Sequence, residues 1–277
     1  MTVSDALRFG AEKIGRRDAS LFLAYLIGGG VGDVFSRSEE MLPPDKCDLL
    51  LSFIARRERA EPLQYIIGVW DFFGLEFFTD PRALIPRPET ELLVEAALEF
   101  AKKIQSDGVA APRILDVCTG SGCIALALAH TLGDCAEITA IDISLDALAL
   151  ARENAEKLNL SDRVNFLHSD LLDKIPQSEK FDLIVSNPPY IASSEIPALD
   201  PSVRDYEPHL ALNGGADGLD LYRRLIAQSK KALHKGGALF LEIGPPAVAD
   251  LMRDAGDVEV LNDYAGLPRI VRGVLNA

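Results

Sequence analysis

The sequence predicts an α/β protein in which a doubly wound, mostly parallel sheet of seven strands follows a small helical region and a β-hairpin. From residue 112 onward, short apolar runs alternate with helical segments of roughly 10–15 residues, the pattern of a parallel sheet. A turn containing two glycines follows the first of these strands, at the edge where such sheets bind ligands. The chain has 277 residues, 48% of them hydrophobic, and is long enough to bury a core of this size.

Residues 1–62 are predicted to form a helical domain that recognises a substrate, with a purely structural packing module as the alternative. Apolar side chains recur at helical spacing after Asp18, a candidate N-terminal cap, and the helix is expected to end at Gly28; these side chains are Leu21, Phe22, Tyr25 and Leu26. A second helix is predicted over residues 45–59. Because this region contains no chemical motif, we assign the chemistry to the rest of the chain.

Residues 63–80 are predicted to form a β-hairpin that links the two domains. Aromatic residues concentrate here, and two β-like runs, 64–69 and 72–78, flank Trp70-Asp71 as the expected turn. A proline-containing loop over residues 84–91 follows. Its last residues open a helix predicted to run from Glu89 to Phe100.

Residues 81–277 are predicted to form the second domain, with a Rossmann-like alternation of strands and helices. The strands are predicted over residues 113–117, 138–141, 164–167, 181–186, 238–243, 258–261 and 269–275. The helices between them are predicted over residues 123–132, 145–158, 221–233 and 247–255. Asp182 is expected to face solvent. A ligand is expected where the parallel strands end.

The first candidate site is the turn from Asp116 to Gly122, with the sequence Asp-Val-Cys-Thr-Gly-Ser-Gly. Its glycines allow a ligand to approach the backbone closely, and Asp142 ends the next strand, where a carboxylate accepts hydrogen bonds from both ribose hydroxyls. The dinucleotide fingerprint is absent because Cys118 stands at the first glycine position and the third glycine is missing. A single nucleoside such as S-adenosylmethionine therefore fits better, and an ordinary strand–helix turn is the alternative.

The second candidate site is Asn187-Pro188-Pro189-Tyr190, directly after an apolar strand. Two prolines remove two backbone donors and leave carbonyl acceptors, to which Asn187 adds a side-chain oxygen and Tyr190 a flat face. Such a site suits a planar group that bears an NH₂. Adenine, guanine and a carboxamide all qualify.

Composition narrows the function classes further. The net charge of −14, from 28 Lys+Arg against 42 Asp+Glu, opposes binding to a nucleic acid. The four cysteines and four histidines are scattered without ligand spacing, so no metal site is expected. With no signal-peptide pattern and no apolar run of membrane length, we expect a cytoplasmic protein that does not bind a membrane.

These motifs together resemble the release factor glutamine methyltransferase family (PrmC, also called HemK), within the class I methyltransferases. The resemblance covers nearly the whole chain; the matching segments are Glu61 to Gly68, Leu84 to Glu91, Asp116 to Gly122, Asp142, Asn187 to Tyr190, and Arg204 to Pro208. It implies transfer of a methyl group from S-adenosylmethionine to the glutamine nitrogen of the Gly-Gly-Gln loop in class I peptide chain release factors. Cys118 departs from the glycine that many members have, which affects the path of the first turn.

The resemblance also implies site residues. Those for the cofactor would be Cys118, Thr119, Gly120, Ser121, Gly122, Asp142, Leu171 and Asn187. Those for the glutamine would be Asn187, Pro188, Pro189 and Tyr190, of which Asn187, Pro188 and Tyr190 would act in catalysis. Asp170 is expected either near the adenine amino group or as a strand-end cap, and Asp116 as a brace for the loop.

Three alternatives remain open from the sequence. An amino methyltransferase acting on adenine or guanine would use a similar acceptor-rich tetrapeptide, although the acidic charge opposes a polyanionic substrate. A methyltransferase acting on a glutamine of a ribosomal protein would share every motif. A binding protein without turnover would have no need of Asn187 and Tyr190.

Overall fold

The computed structural model describes residues 1–253 and 256–275, and the chain divides into two compact units. The first unit contains residues 1–69 together with residues 200–206, and the second contains residues 70–199 and those from 207 onward. The helical region and the sheet predicted from the sequence therefore fall in different units.

The first unit is helical, with α1 (Val3–Ile14), α2 (Arg16–Ile27), α3 (Val31–Ser36), α4 (Pro44–Arg57) and α5 (Leu63–Ile67). Asp18 does not cap α2, because the helix begins earlier, after Gly15. Its carboxylate instead accepts a hydrogen bond from the Arg57 Nε at 2.7 Å, which ties α2 to α4. Phe22 and Phe53 pack between the same two helices, with ring centroids 5.1 Å apart.

The strand predicted over residues 64–69 is wrong, since residues 63–67 form α5. Pro62 precedes the helix and pre-sets its first turn, and Gly68 ends it in the left-handed conformation with φ +83°. Leu63 and Ile66, one helical turn apart, are both buried. Burial of this helical face overrides the β-propensity of the local sequence.

The hairpin itself is present, but its turn lies further along than predicted. Its strands are β1 (Val69–Phe72) and β2 (Leu75–Phe78), so Trp70 and Asp71 belong to the first strand. The two turn residues, Phe73 and Gly74, both have positive φ, at 52° and 74°. Positive φ at both central residues is characteristic of a type I′ turn, whose twist matches that of the flanking strands. Such a turn favours glycine at its second central position.

The second unit is built on a seven-stranded sheet. The elements after the hairpin are α6 (Pro88–Ser106), β3 (Arg113–Val117), α7 (Cys123–Leu132), β4 (Glu137–Asp142), α8 (Leu145–Lys157), β5 (Val164–His168), β6 (Phe181–Ser186), α9 (Pro201–Arg204, in the first unit), α10 (His209–Leu212), α11 (Asp220–Ala232), β7 (Leu233–Glu242), α12 (Val248–Arg253), β8 (Gly256–Asn262) and β9 (Pro268–Leu275). The strand order is β5-β4-β3-β6-β7-β9-β8, and β9 runs antiparallel to both of its neighbours, β7 and β8.

Buried apolar side chains cover both faces of this sheet, as a doubly wound fold requires. One cluster includes α6, α7 and the hairpin side chains Phe72 and Phe77, and the other includes α11, α12 and Tyr222. The fold class predicted from the sequence is therefore confirmed.

Element boundaries agree closely in most of the sheet, but α6 continues to Ser106 beyond its predicted end at Phe100, and β7 and α12 also differ. β7 begins at Leu233 rather than Ala238, because Leu233 pairs with Phe181 before an irregularity in the register. Asp182 does not simply face solvent, since its carboxylate accepts a hydrogen bond from the Arg113 N–H at 2.9 Å. The helix predicted over residues 247–255 is observed as Val248–Arg253, and residues 254, 255, 276 and 277 lie outside the described residues.

Candidate active site

The two candidate motifs begin side by side at the carboxyl edge of the sheet. β3 and β6 are parallel neighbours in which Val117 pairs with Ser186, and the Ser186 hydroxyl donates to the Val117 carbonyl at 2.6 Å. β4 lies on the other side of β3 and brings Asp142 to the same edge. This edge opens into a cavity of about 240 Å³ that opens to solvent. Its lining includes residues of both motifs and of the loop after β5.

A buried carboxylate braces the turn after β3. Asp116 has no exposed surface, and its Oδ2 accepts hydrogen bonds from the Thr119 hydroxyl at 2.6 Å and from the Ala125 N–H at 3.2 Å. Burial raises the pKa of this carboxyl to about 7, against the lowering effect of the two hydrogen bonds. This is the bracing role expected from the sequence.

The backbone of the turn follows a left-handed path that favours glycine. Gly120 and Gly122 have φ values of +55° and +81°, and a Cβ at Gly122 would lie 3.1 Å from the Ala151 Cβ. Cys118 adopts φ +61° although it is not a glycine. The backbone at Cys118 is therefore left-handed even though cysteine stands at the position where many family members have glycine. Cys118, Thr119, Gly120 and Ser121 line the cavity.

Asp142 is held in place by the backbone on both of its carboxylate oxygens. Its Oδ2 accepts from the Gly120 N–H at 2.9 Å and its Oδ1 from the Ser144 N–H at 2.8 Å, while the side chain lines the cavity. Burial raises its pKa, and these hydrogen bonds oppose the rise. Each oxygen has a further lone pair, so the carboxylate fits a pair of ribose hydroxyls.

The far wall of the cavity is formed by the loop after β5. Leu171 is buried, has φ +45° and lines the cavity beside Asp170. The Asp170 carboxylate pairs with the Arg224 guanidinium at 2.9 Å, which the sequence did not indicate. Ile143 also lines the cavity and remains 46% exposed, an apolar surface that fits a flat base. Its place directly after Asp142 was the signal available for finding it.

Of the four residues in the turn after β6, two line the cavity and two do not. Asn187 and Pro189 line the cavity. Pro188 is buried, and neither Pro188 nor Tyr190 is among the residues that line the cavity. Tyr190 is enclosed by three glycines: a Cβ at Gly214 would lie 2.7 Å from the Tyr190 Cα, and Cβ atoms at Gly218 and Gly244 would collide with the same residue. Burial raises the pKa of the Tyr190 phenol, so it stays neutral and keeps its O–H.

Asn187 is oriented by two residues to which the sequence gave no role, although Thr90 lies within the family-matching segment Leu84 to Glu91. Its Nδ2 donates to the Thr90 Oγ1 at 3.2 Å, and the Thr90 hydroxyl donates to the Glu242 Oε2 at 2.6 Å. Thr90 lies in the first turn of α6 and Glu242 at the end of β7, both buried. Neither belongs to a pattern visible in the sequence around Asn187.

A buried ion pair closes the rim of the cavity. Arg87 pairs with Glu207, whose carboxylate also accepts a hydrogen bond from the Ile85 N–H at 3.2 Å. Glu207 itself is almost fully buried. These contacts join the proline-containing loop before α6 to the segment that carries Pro208 and Leu210, both of which line the cavity.

These features define the class of protein. The sheet order with one antiparallel strand, the glycine turn after β3 and the carboxylate after β4 are those of a class I S-adenosylmethionine-dependent methyltransferase. A family model described as "Methyltransferase domain" matches residues 109–243. The residues present fit the cofactor, since the cavity is lined by the Asp142 carboxylate and by the glycine-containing turn after β3.

Solved methyltransferase structures share the fold at low sequence identity. The catalytic domain of human Mettl16 in complex with the MAT2A 3′UTR hairpin has a TM-score of 0.57 and 18% identity, covering 84% of this chain and 83% of that one. The Thermus thermophilus 16S rRNA N2 methyltransferase in complex with AdoMet and guanosine has a TM-score of 0.54 and 21% identity, covering 75% of this chain and 50% of that one. At these identities the likeness shows the fold alone.

Sequence relatives give the particular family. A family model described as "PrmC N-terminal domain" matches residues 4–68. The release factor glutamine methyltransferase of Clostridium acetobutylicum is 40% identical over 93% of this chain and 90% of its own length. That of Deinococcus radiodurans is 42% identical over 92% of this chain and 89% of its own length. The chain belongs to the release factor glutamine methyltransferase family and is an S-adenosylmethionine-dependent methyltransferase, as the resemblance implied.

Within residues 1–253 and 256–275, we find no group of three or more His, Cys, Asp and Glu side chains arranged to hold a metal ion. In the same part of the chain, no helix has the length and apolar character needed to cross a membrane.

Proposed function

We propose that this enzyme methylates the side-chain nitrogen of the glutamine in the Gly-Gly-Gln loop of class I peptide chain release factors. The observation that carries the proposal is the orientation of Asn187, which lines the same cavity as Asp142 while its NH₂ group donates to Thr90. The side-chain oxygen of Asn187 then remains as an acceptor for an N–H group in the cavity. The names of the sequence relatives support a release factor as the substrate.

The cofactor half of the site would hold S-adenosylmethionine through Asp142, the turn from Cys118 to Gly122, and Leu171. When bound there, S-adenosylmethionine supplies an electrophilic methyl group on a positively charged sulfur. Asp142 would accept hydrogen bonds from the ribose hydroxyls, and the turn would bring its backbone close to the ligand. Leu171 and Ile143 would contact the two faces of the base.

The substrate half of the site would hold the glutamine amide. An amide nitrogen is a poor nucleophile because its lone pair is delocalised into the carbonyl. The Asn187 side-chain oxygen and the Pro188 carbonyl would accept its two N–H groups and favour a localised lone pair. Pro189 and Tyr190 would fix the plane of the amide. Such orientation contributes up to ~7–11 kcal/mol in ideal intramolecular cases, and fixed dipoles stabilise the positive charge that develops on nitrogen.

We assign recognition of the release factor to residues 1–62, with the hairpin region 63–80 as the linker to the catalytic residues 81–277. The first unit presents several large apolar side chains at its surface, which could contact a protein substrate; they include Phe9, Tyr25, Phe35, Met41 and Leu49. Because release factors act on the ribosome, the proposal places the enzyme in the cytoplasm. It requires no direct contact with nucleic acid and none with a membrane.

This recognition surface can be tested with two exposed positions. Met41→Ser and Leu49→Ser, at side chains 69% and 43% exposed, should raise the KM for a release factor while leaving cofactor affinity and kcat unchanged. Leu145→Ser, at an exposed side chain of the second unit, is a control for loss of surface hydrophobicity. An unchanged KM in both first-unit variants would contradict the assignment.

The experiment that tests the function is a methyl-transfer assay with three candidate substrates. A purified class I release factor, total ribosomal protein and a mixture of RNA and DNA are each incubated with the enzyme and S-adenosylmethionine. We expect methylation of the release factor at its Gly-Gly-Gln glutamine, located by tandem mass spectrometry, and none of the nucleic acids. Methylation confined to a ribosomal protein or to nucleic acid would contradict the proposal and select one of the alternatives.

A further inference from the structure

We propose that Thr90 and Glu242 are positioning residues that fix which end of the Asn187 amide faces the substrate. The inference rests on the proposed function of Asn187 as the acceptor for the glutamine amide. It assigns a role in the reaction to two buried residues that lie outside both sequence motifs. Thr90 lies 97 residues before Asn187 in the chain, and Glu242 lies in a different strand.

The first step of the argument is the direction of the hydrogen bonds. An ionised carboxylate has no donor, so the 2.6 Å contact between Glu242 and Thr90 uses the single hydroxyl proton of Thr90. Thr90 can then only accept from its other partner. The Asn187 group 3.2 Å away must therefore be the NH₂ end of the amide.

The second step is what this direction leaves for the substrate. With its NH₂ end towards Thr90, the Asn187 amide turns its oxygen to the other side. Asn187 lines the cavity, and we find no donor to its Oδ1 within residues 1–253 and 256–275. The oxygen is thus available to accept an N–H from the glutamine. If the Asn187 amide were reversed, its NH₂ group would face the NH₂ group of the substrate glutamine. Both groups are donors, so no hydrogen bond could form between them and binding would fail.

The third step is the burial of both positioning residues. Thr90 and Glu242 are each 2% exposed, so water cannot substitute for either partner. The Tyr222 hydroxyl donates to the Glu242 carbonyl at 2.8 Å and holds the backbone at that position. A carboxylate in this place would cost stability unless its hydrogen bonds were satisfied, and Thr90 satisfies one of them.

The protonation of Glu242 provides a direct test of the hydrogen bonds that connect Asn187, Thr90 and Glu242. Burial raises the pKa of the Glu242 carboxyl to about 7, and hydrogen bonds from Thr90 and Asn187 together with the charge of Arg269 oppose the rise. Glu89 acts in the same direction as burial, and the Glu242 charge in turn raises the pKa of Tyr190, Tyr222 and Cys123. Once protonated, Glu242 can itself donate a hydrogen bond. The donor-to-acceptor direction of the hydrogen bonds from Asn187 through Thr90 to Glu242 is therefore fixed only at pH values above the pKa of Glu242.

The first test measures single-turnover methylation of a release factor at saturating cofactor. Thr90→Val keeps the shape of the side chain but removes the hydroxyl. We expect the rate to fall about 10- to 100-fold, the same scale as the loss of an outer hydrogen-bond partner behind a metal ligand. Cofactor affinity should stay within about twofold, and Thr90→Ser, which restores the hydroxyl, should recover most of the rate. Thr131→Val, which removes a helix-surface hydroxyl bonded to the Ala127 carbonyl at 2.9 Å, is the matched control.

A double-mutant cycle separates positioning from a general loss of structure. If Thr90 acts through Asn187, Thr90→Val should have almost no further effect in an Asn187→Ala background. Equal losses in both backgrounds would overturn the inference, as would a Thr90→Val enzyme that works at the wild-type rate. Circular dichroism on each variant verifies that it is folded.

A second measurement does not depend on activity. In nitrogen-15-labelled enzyme, the side-chain NH₂ signals of Asn187, assigned by their loss in Asn187→Ala, should shift with a midpoint near pH 7. The shift should disappear in Glu242→Gln and become smaller in Thr90→Val, where only the direct contact between Asn187 and Glu242 remains. If the Asn187 side-chain NH₂ signals of the wild type do not shift with pH, the inference is overturned, whether or not the enzyme methylates a release factor. If these signals titrate but no release factor is methylated, the proposed function fails and the hydrogen-bond chain stands.

Discussion

The two halves of the active site use the same device over very different distances in the sequence. Beneath the turn after β3, the buried Asp116 carboxylate accepts from the Thr119 hydroxyl at 2.6 Å, three residues away. Behind the turn after β6, the buried Glu242 carboxylate accepts from the Thr90 hydroxyl, also at 2.6 Å but 152 residues away. The cofactor half is therefore braced locally, whereas the orientation of the substrate half depends on the assembled fold.

This difference predicts that mutations in the two halves separate binding from turnover. Changes in the cofactor half should weaken affinity for S-adenosylmethionine. Changes in the substrate half should slow methyl transfer and leave that affinity largely intact. Of the four predictions below, given from the largest expected effect to the smallest, the first two test this separation and the last two test how a buried carboxyl and a strained turn residue affect stability in the two halves.

The largest effect is expected at Asn187. Asn187→Ala removes a preorganised acceptor for the glutamine amide, so the single-turnover rate at saturating cofactor should fall ~10²-fold or more. Cofactor affinity should fall far less, because Asn187 is only one of several groups that line the cavity. Asn165→Ala, at an exposed position of β5, is the matched control. A rate within a few-fold of the wild-type value would remove Asn187 from the reaction.

The next effect is expected at Asp142 and concerns affinity. Asp142→Ala removes a carboxylate that is placed for the ribose hydroxyls, and binding of S-adenosylmethionine should weaken by about 1.5–3 kcal/mol, or about 10- to 150-fold in Kd. Isothermal calorimetry measures this change directly. Asp162→Ala, at an exposed position after α8, is the control, and an unchanged Kd at Asp142→Ala would show that the carboxylate does not contact the cofactor.

A pH-dependent effect on stability is expected from the buried carboxyls themselves. The folded-state pKa of Glu242 is raised to about 7 from an ordinary value of 4.5, so the folded protein binds this proton more tightly than the unfolded chain does. The free energy of unfolding should therefore fall as the pH rises through this window, by up to about 1.4 kcal/mol per pH unit from this group.

Urea unfolding at several pH values between 5 and 7 tests this effect. Glu242→Gln cannot titrate, so its stability should fall less steeply with pH than that of the wild type. Asp116, whose pKa is also raised to about 7, keeps its own share of the slope in both proteins. Parallel curves for the two proteins would mean that Glu242 is ionised throughout this range.

The smallest effect is expected at Cys118. Its φ of +61° strains a residue with a Cβ by about 1–2 kcal/mol, and Cys118→Gly would relieve this strain but increase the entropy of the unfolded chain by a comparable amount. We expect the free energy of unfolding to change by about 1 kcal/mol or less. A loss of several kcal/mol would show that packing of the cysteine side chain dominates at this position.

The same comparison explains what could be predicted from the sequence. Asp116, Gly120, Gly122 and Asp142 belong to one strand-turn-helix unit and the strand after it, so their pattern is local and the structure brings them together as expected. The alternation of strands and helices likewise predicted the sheet, because each segment is defined by its own periodicity. Asp116 was correctly predicted to brace the turn for the same reason.

The parts that could not be predicted depend on contacts between distant segments. Nothing near Asn187 in the sequence points to Thr90 or Glu242, which meet it only because α6 and β7 pack beside β6. The helix at residues 63–67 and the early start of β7 at Leu233 have the same origin, since tertiary burial and pairing with Phe181 decide them. The roles of the individual site residues remain predictions that the mutations above can test.

One measurement tests the central claim of methyl transfer to a release factor glutamine most directly. Wild-type enzyme and Asn187→Ala are each incubated with a class I release factor and S-adenosylmethionine, and the Gly-Gly-Gln peptide is analysed by tandem mass spectrometry over time. We predict that the wild type adds the mass of one methylene group to the glutamine side chain and that the variant does so at least ~10²-fold more slowly. A peptide that stays unmodified, or that is modified equally fast by both proteins, would contradict the account.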